Sequence, residues 1–217
     1  PLPKAGMFLR LSRNLADEFE SFGLSTTSAP ATFNNRRLEL EGYHLTLNAD
    51  YDAAGLLGND GHGTKYWEVG GKALLEQEPA QGRYLFLAGS AEQHVALVAQ
   101  GSTLTARRKN GLDETTLTLP YTSGQAFGWR LYHRPDGTRR FLGLEVVSDD
   151  VQATEVEGLL PRTDADEVPY TGFAYFRPTG GVTFGKAPET VAQDTDSLYL
   201  WEVYARNVPM ISTEHAR

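Results

Sequence analysis

The chain has 217 residues, 40% of them hydrophobic and 22% charged, which is ordinary usage for one globular unit of the size β-sandwiches reach. Twenty basic residues against 28 acidic ones give a formal charge of -8, so the molecule as a whole repels phosphate backbones and nucleic acid is not an expected partner. It has no cysteine, which excludes disulfides, thiolate nucleophiles and Cys-ligated metal and suits a chain folded in a reducing cytosol.

At the N-terminus, PLPKAGMFLRLSRN carries no signal-peptide hydrophobic stretch. Its first Pro reads as the residue left after removal of an initiator Met. No apolar run approaches the ~20 residues of a membrane span, so membrane insertion is not expected. Phe8, Leu11, Leu15, Phe19 and Phe22 fall at spacings of three and four and permit an amphipathic helix. The alternative is a short strand and turn over LADEFESFGLS, cut off by Gly23 and the STTSAPAT stretch.

After Pro30 the period changes to two, the mark of strands with one face on a core. RRLELEGYHLTLNA, KYWEV, RYLFLAG, HVALVAQ, STLTARR, TTLTLPY, GWRLYHR, RRFLGLEVV, GFAYFRP, GVTFGK and SLYLWEVYA follow one another, separated by Asn110-Gly111, Pro135-Asp136-Gly137 and Gly180-Gly181. Nearly a dozen short strands with no long helix between them predict an all-β, antiparallel two-sheet β-sandwich preceded by a short N-terminal arm or helix. The expected division is 1–29 arm or helix, 30–206 sandwich and 207–217 C-terminal tail. WRLYHRPDGTRRFLGLEV reads as a hairpin about Asp136-Gly137, with Trp129, Leu131, Phe141, Leu144 and Val146 flanking the turn. Ser148 to Tyr170, polar and acidic with two prolines, reads as a long surface excursion.

Several clusters are read as plain surface. Arg36-Arg37, Arg107-Arg108-Lys109 and Arg139-Arg140 sit beside turn signals and read as solvated strand ends. Five histidines, His44, His62, His94, His133 and His215, stand singly without zinc-site spacing. Asn59-Asp60-Gly61 and Asp164 to Glu167 offer oxygen ligands suited to calcium, but no EF-hand spacing is present, and acidic loops are more often simply solvated. No Gly-x-Ser-x-Gly nucleophile turn occurs; Ser123-Gly124 sits in a plain turn. No metal and no cofactor is therefore assigned.

Gly63, Tyr66, Trp67, Glu68 and Val69, the hairpin from Trp129 to Phe141, and GGVTFG at Gly180 to Gly185 together resemble the concanavalin A-like lectin/glucanase superfamily, and within it SPRY domains. The likeness spans Thr32 to Gly185. The stretch GGKALLEQEPAQG departs from the SPRY pattern, and the terminal LYLWEVYARN is more similar to laminin-G-like members. The resemblance implies a jelly-roll sandwich that binds partners through its loops: protein for SPRY domains, sugars and sometimes calcium for lectin and laminin-G relatives. Glucanase relatives hydrolyse glycans with Glu-x-Asp-x-Glu on one strand, and this chain has only Glu39 and Glu41 about Leu40, with Glu68 and Glu202 alone. Glu68, beside Trp67, reads as an outward solubilising residue, and no enzyme is expected.

Two functions follow as expectations. One is a non-enzymatic bacteriophage virion component, a capsid decoration or tail-associated protein made in the host cytoplasm, contacting other virion proteins and itself. The other is an adhesin that binds a cell-surface glycan, with Tyr51, Tyr121 and Tyr170 as the loop aromatics available for sugar stacking. Trp67, Trp129 and Trp201 are read as core residues on strands.

Overall fold

The computed structural model describes residues 8–10, 24–26, 32–34, 37–41, 44–47, 66–136, 139–148, 166–170, 182–186 and 197–208. Its strands are β1 (Phe8–Arg10), β2 (Leu24–Thr26), β3 (Thr32–Asn34), β4 (Arg37–Glu41), β5 (His44–Leu47), β6 (Tyr66–Leu75), β7 (Arg83–Gly89), β8 (Gln93–Gln100), β9 (Thr103–Asn110), β10 (Asp113–Pro120), β11 (Phe127–Asp136), β12 (Arg139–Ser148), β13 (Asp166–Tyr170), β14 (Val182–Lys186) and β15 (Ser197–Val208). They form two sheets, ordered β13-β12-β11-β6-β15-β4-β3, with β1 also on β15, and β10-β9-β8-β7-β14-β5-β2. The pairings given for both sheets are antiparallel, including β11 on β12, β6 on β15 and β8 on β9. The architecture is the all-β sandwich that the period-two pattern predicts.

One core lies between the sheets. Alternation sends Trp67, Val69, Ala73 and Leu75 of β6 and Phe127, Trp129 and Leu131 of β11 inward, against Val95, Leu97 and Ala99 of β8 and Leu104 and Ala106 of β9. In β7 the register shifts between Tyr84 and Phe86. The extra residue lets Leu85 and Phe86, neighbours in sequence, both bury in this core.

Three expectations change at this level. Phe8–Arg10 pairs with Tyr204 to Arg206 of β15, so the start of the segment spaced like a helix is a strand: sheet pairing overrides a three-four spacing of apolar residues. The rest of that segment, Leu11 to Gly23, lies outside the described residues. Within the acidic stretch from Ser148 to Tyr170, Asp166–Tyr170 is an edge strand on β12, where Pro169 is tolerated because one side of an edge strand needs no partner. Phe141, grouped with Leu144 and Val146 from the sequence, pairs with Arg134 on the opposite face of β12 from Leu142 and Leu144.

The two Trp-Glu-Val copies are not equivalent. Trp67 faces the core in register with His133. In β15 the register shifts between Trp201 and Tyr204; Trp201 pairs with Lys72, Leu200 and Val203 on either side are both buried, and the Trp201 side chain itself lies outside the described residues. A bulge thus interrupts the alternation inside the second copy.

Candidate functional site

Strand alternation sets two polar groups apart from the apolar core. The first lies on the outer face of the sheet formed by β6, β11, β12 and β13. Glu68, Tyr132, Gly143 and Glu167 register in one row across these four strands, and Arg130 and Glu145 pair in the next.

A row of this kind places side chains about 5 Å from their cross-strand neighbours, and the contacts follow from it. The Tyr66 hydroxyl donates to Glu68 Oε2. Arg130 Nη2 lies 2.7 Å from Glu145 Oε2 and its Nη1 3.9 Å from Glu68 Oε2, with the guanidinium carbon 5.1 Å from the Tyr132 ring centre. Tyr132 stacks on Tyr66 at 6.3 Å and reaches over Gly143 to donate to Glu167 Oε1 at 2.8 Å. Glu167 takes two further bonds from Arg134, 3.0 Å from Nε and 2.7 Å from Nη2, and Arg134 covers the Phe141 ring at 4.3 Å.

Glu68 is only 1% exposed and Arg130 only 4%. The expectation of an outward, solubilising Glu68 is therefore corrected: it points away from the core but is buried, and it is held by Tyr66, two residues before it on the same strand face, and by Arg130 of β11, which sequence spacing alone does not bring to it. A buried carboxylate needs partners of this type, since unpaired burial costs several kcal/mol.

The hydrogen bonds from Arg134, and after them the one from Tyr132, hold the Glu167 carboxyl below its ordinary range against its partial burial. Burial first, and then the bond to Glu167, push the Tyr132 hydroxyl well above its ordinary range. Because Glu167 has a lower pKa folded than unfolded, its bonds stabilise the fold above the ordinary carboxylate range and are lost as pH falls through the lowered value. The denaturation midpoint of the native chain should therefore exceed that of Glu167→Gln at neutral pH, and the gap should close on acidification below pH 4.5. A gap unchanged down to pH 3 would contradict the arrangement.

The second group lies inside one end of the sandwich, where apolar filling gives way to rings and cations. Trp67 and His133, directly paired on β6 and β11, stack at 5.9 Å, and Tyr170 meets His133 at 5.8 Å. From the facing sheet Arg108 lays its guanidinium 4.4 Å from the Tyr170 ring centre, and Arg140 pairs with Tyr170 in register. Arg108 is 4% exposed and Arg140 9%, so neither is a solvated strand end. Burial pulls the Arg108 guanidinium below its ordinary range; Tyr170 and Asp113 oppose this and Arg140 adds to it. Period two already carried the signal: Leu104, Ala106 and Arg108 alternate onto one face, as do Arg140, Leu142 and Leu144.

The three tyrosines proposed for sugar stacking are not brought together. Tyr170 is half-buried at the end just described. Tyr121 is buried, donates its hydroxyl to the Gly101 carbonyl at 2.7 Å and packs on Phe127. Phe127 pairs with Ala73 whereas His133 pairs with Trp67, which puts Tyr121 towards the opposite end of the sandwich. Tyr51, Asn59 to Gly61 and Asp164 lie outside the described residues. Asp166 is exposed, and both Glu167 oxygens are taken by Arg134 and Tyr132. Among the described residues no three His, Asp or Glu gather as metal ligands.

No family model matches the chain, and no curated protein matches it. Among solved structures it is similar to botulinum neurotoxin type C, whose cell entry is dependent upon interaction with two ganglioside molecules, at 10% identity and a TM-score of 0.58 over 84% of this chain and 42% of that one. It is similar to the botulinum neurotoxin serotype G binding domain at 8% identity and a TM-score of 0.58, over 89% of this chain and 45% of that one. It is also similar to the binding domain of botulinum neurotoxin DC, solved in complex with rat synaptotagmin II, at 9% identity and a TM-score of 0.55. The chain spans less than half the length of these relatives. At such identities the likeness is one of fold alone, the two-sheet β-sandwich described above.

Proposed function

We propose that this protein is a non-enzymatic binding domain for a cell-surface glycan carrying an acidic group, which it takes at the end of the sandwich beside Tyr170. The observation that carries the reading is the pairing of that half-buried ring with the guanidinium of Arg108, beside Arg140. An aromatic face suits the apolar side of a sugar ring, and guanidinium groups match a carboxylate in geometry and charge.

The neighbours in fold add support, since the cell entry of one is dependent upon interaction with two ganglioside molecules and another is a binding domain in complex with rat synaptotagmin II. They lend nothing to the virion role expected from the sequence, which is why the glycan reading stands first.

The outer-face carboxylates support a non-catalytic reading. A glycoside hydrolase needs two carboxyl groups with the scissile bond between them. Here the Arg130 guanidinium contacts both Glu68 and Glu145, a cation where the sugar would have to enter.

Glycan-array binding tests the proposal. Acid-bearing glycans should be retained by the native chain and by Tyr121→Phe, and lost with Tyr170→Ala at a temperature where that variant is still shown to be folded. Binding of neutral glycans alone, no glycan binding, or equal binding by Tyr170→Ala would overturn it.

A further inference from the structure

His94 takes no part in the site proposed above, yet its ring is nearly sealed. It stands on β8 between Gly89 of β7 and Lys109 of β9, on the face away from the core, since Val95, Leu97 and Ala99 take the inward positions. Even there it is only 7% exposed. The Ser90 carbonyl oxygen lies 2.9 Å from its Nδ1.

That contact fixes the tautomer. A carbonyl can only accept, so Nδ1 carries the proton and Nε2 of the neutral ring keeps a lone pair. Nε2 is buried and has no hydrogen-bond partner among the described residues. Charging the ring would therefore place a donor where no acceptor meets it. The charged groups facing the ring from β9 are Arg107 and Lys109, both cations, and from β10 Glu114, whose Oε1 is held by Arg107 Nε at 2.9 Å. Burial is the largest influence and pulls the ring below its ordinary 6.5; Arg107 and Lys109 add to it, while the Ser90 carbonyl and Glu114 oppose it.

The ring closes a corner made of two loops. The Ser90 N–H donates to the Gln93 carbonyl at 2.8 Å, which closes the loop between β7 and β8. The Glu92 carbonyl of that loop accepts from the Gly111 N–H at 2.8 Å, and the Gln93 side-chain amide donates to Asn110 Oδ1 at 2.7 Å. The β7–β8 loop thus holds the turn between β9 and β10. Arg108 lies two residues before Asn110 and pairs with Val95, the neighbour of His94.

We infer that His94 is an acid-sensitive latch: proton uptake at its sealed Nε2 releases the hold of the β7–β8 loop on the β9–β10 turn and loosens the seat of Arg108. The sign follows from linkage. A ring that is harder to charge closed than open costs the corner nothing well above pH 6.5; as pH falls below 6.5 towards the lowered value, the open corner takes up the proton first. Opening stays local, because the bonds that give way belong to loops while the pairing of β8 with β9 continues to Gln100. That opening weakens the capture of an acidic glycan rests on the function proposed above; the latch itself does not.

Amide hydrogen exchange of the native chain and of His94→Asn, at pH 7.5 and 5.0 and corrected for intrinsic rates, tests the latch. Asparagine keeps a donor near the Nδ1 position and does not titrate. In the native chain the protection of Ser90 and Gly111 should fall at least about threefold at pH 5.0 while that of Leu97 and Leu131 holds, and His94→Asn should show no such fall. The native His94 ring, followed by NMR, should titrate with its midpoint below 6.5. Unchanged native protection, the same fall in His94→Asn, an equal fall at Leu97, or a ring midpoint at or above 6.5 would overturn the inference. An acid-bearing glycan held at pH 7.5 should bind the native chain at least about threefold less tightly at pH 5.0, and equal affinity at both would overturn the loosening of Arg108. A chain that binds no glycan at pH 7.5 overturns the proposed function instead, and the exchange result still decides the latch.

Discussion

Gly143→Ala is expected to destabilise the fold more than any other single methyl group added to the described strands. A Cβ at Gly143 would fall 2.0 Å from Tyr132 Cζ and 2.4 Å from both Cε atoms, because the ring lies flat on the glycine. No rotamer hop relieves the clash cheaply. The Tyr132 ring is stacked on Tyr66, bonded through its hydroxyl to Glu167 and wholly buried. Moving it breaks those contacts, and moving Gly143 instead strains the pairing of β12 with both β11 and β13. Overpacking of this kind costs about 3 kcal/mol, read in a chain of this size as a fall in Tm on the order of 10 °C. The mechanism has its own control: Tyr132→Leu in the Gly143→Ala background removes the ring from the glycine, so the two losses should add to much less than their sum. Additive losses would show that the clash is not the cause.

The second large effect is expected from Arg130→Met. Arg130 stands 2.7 Å from Glu145 Oε2 and 3.9 Å from Glu68 Oε2, and all three residues are buried. Methionine fills much of the volume but leaves two carboxylates on a dry sheet face without their cation. Breaking a buried ion pair from one side costs about 3 to 5 kcal/mol. Neutralising the pair of acids, with Glu68→Gln and Glu145→Gln added to Arg130→Met, should recover part of that loss, because the penalty belongs to the stranded charges rather than to the missing contact. Urea denaturation of the three chains reads the difference. A Glu68→Gln, Glu145→Gln, Arg130→Met chain no more stable than Arg130→Met alone would show that Arg130 acts through packing instead.

The sandwich was legible in the sequence because one physical pattern, period two, decides it. That pattern places Trp67 and Val69 inward and Tyr66 and Glu68 outward, and the Pro135-Asp136-Gly137 signal falls where β11 turns into β12. The pattern was silent on whether an outward face meets water. Glu68, Arg130 and Tyr132 look like ordinary exposed positions until the register of four strands brings them side by side, and that register depends on pairings between residues far apart in sequence. Edge strand β13 was hidden for the opposite reason: its acidic residues and Pro169 are turn chemistry in isolation and become a strand only because Leu142 and Leu144 of β12 are there to pair with.

The candidate site was half legible. Tyr170 was singled out as an aromatic beside loops, and it lies at a sandwich end with Arg108 on its face. Its cationic partners were passed over because Arg107-Arg108-Lys109 and Arg139-Arg140 look like solvated pairs next to turns. Alternation divides each run: Arg107 reaches Glu114 at 2.9 Å on the exposed face while Arg108 turns into the sandwich. Tyr121 looks equally available from the sequence, yet its hydroxyl is used within the fold by the Gly101 carbonyl.

The most direct measurement is a titration of the 15N-labelled chain with a sialylated trisaccharide and, separately, with its neutral disaccharide parent, followed by NMR. The account predicts that the Trp67 indole N–H and the backbone amides of Tyr170 and Arg108 shift with the acidic sugar, that the neutral sugar moves them far less, and that Tyr170→Ala abolishes the response. Equal shifts with both sugars, or shifts confined to residues around Tyr121 at the other end of the sandwich, would contradict it.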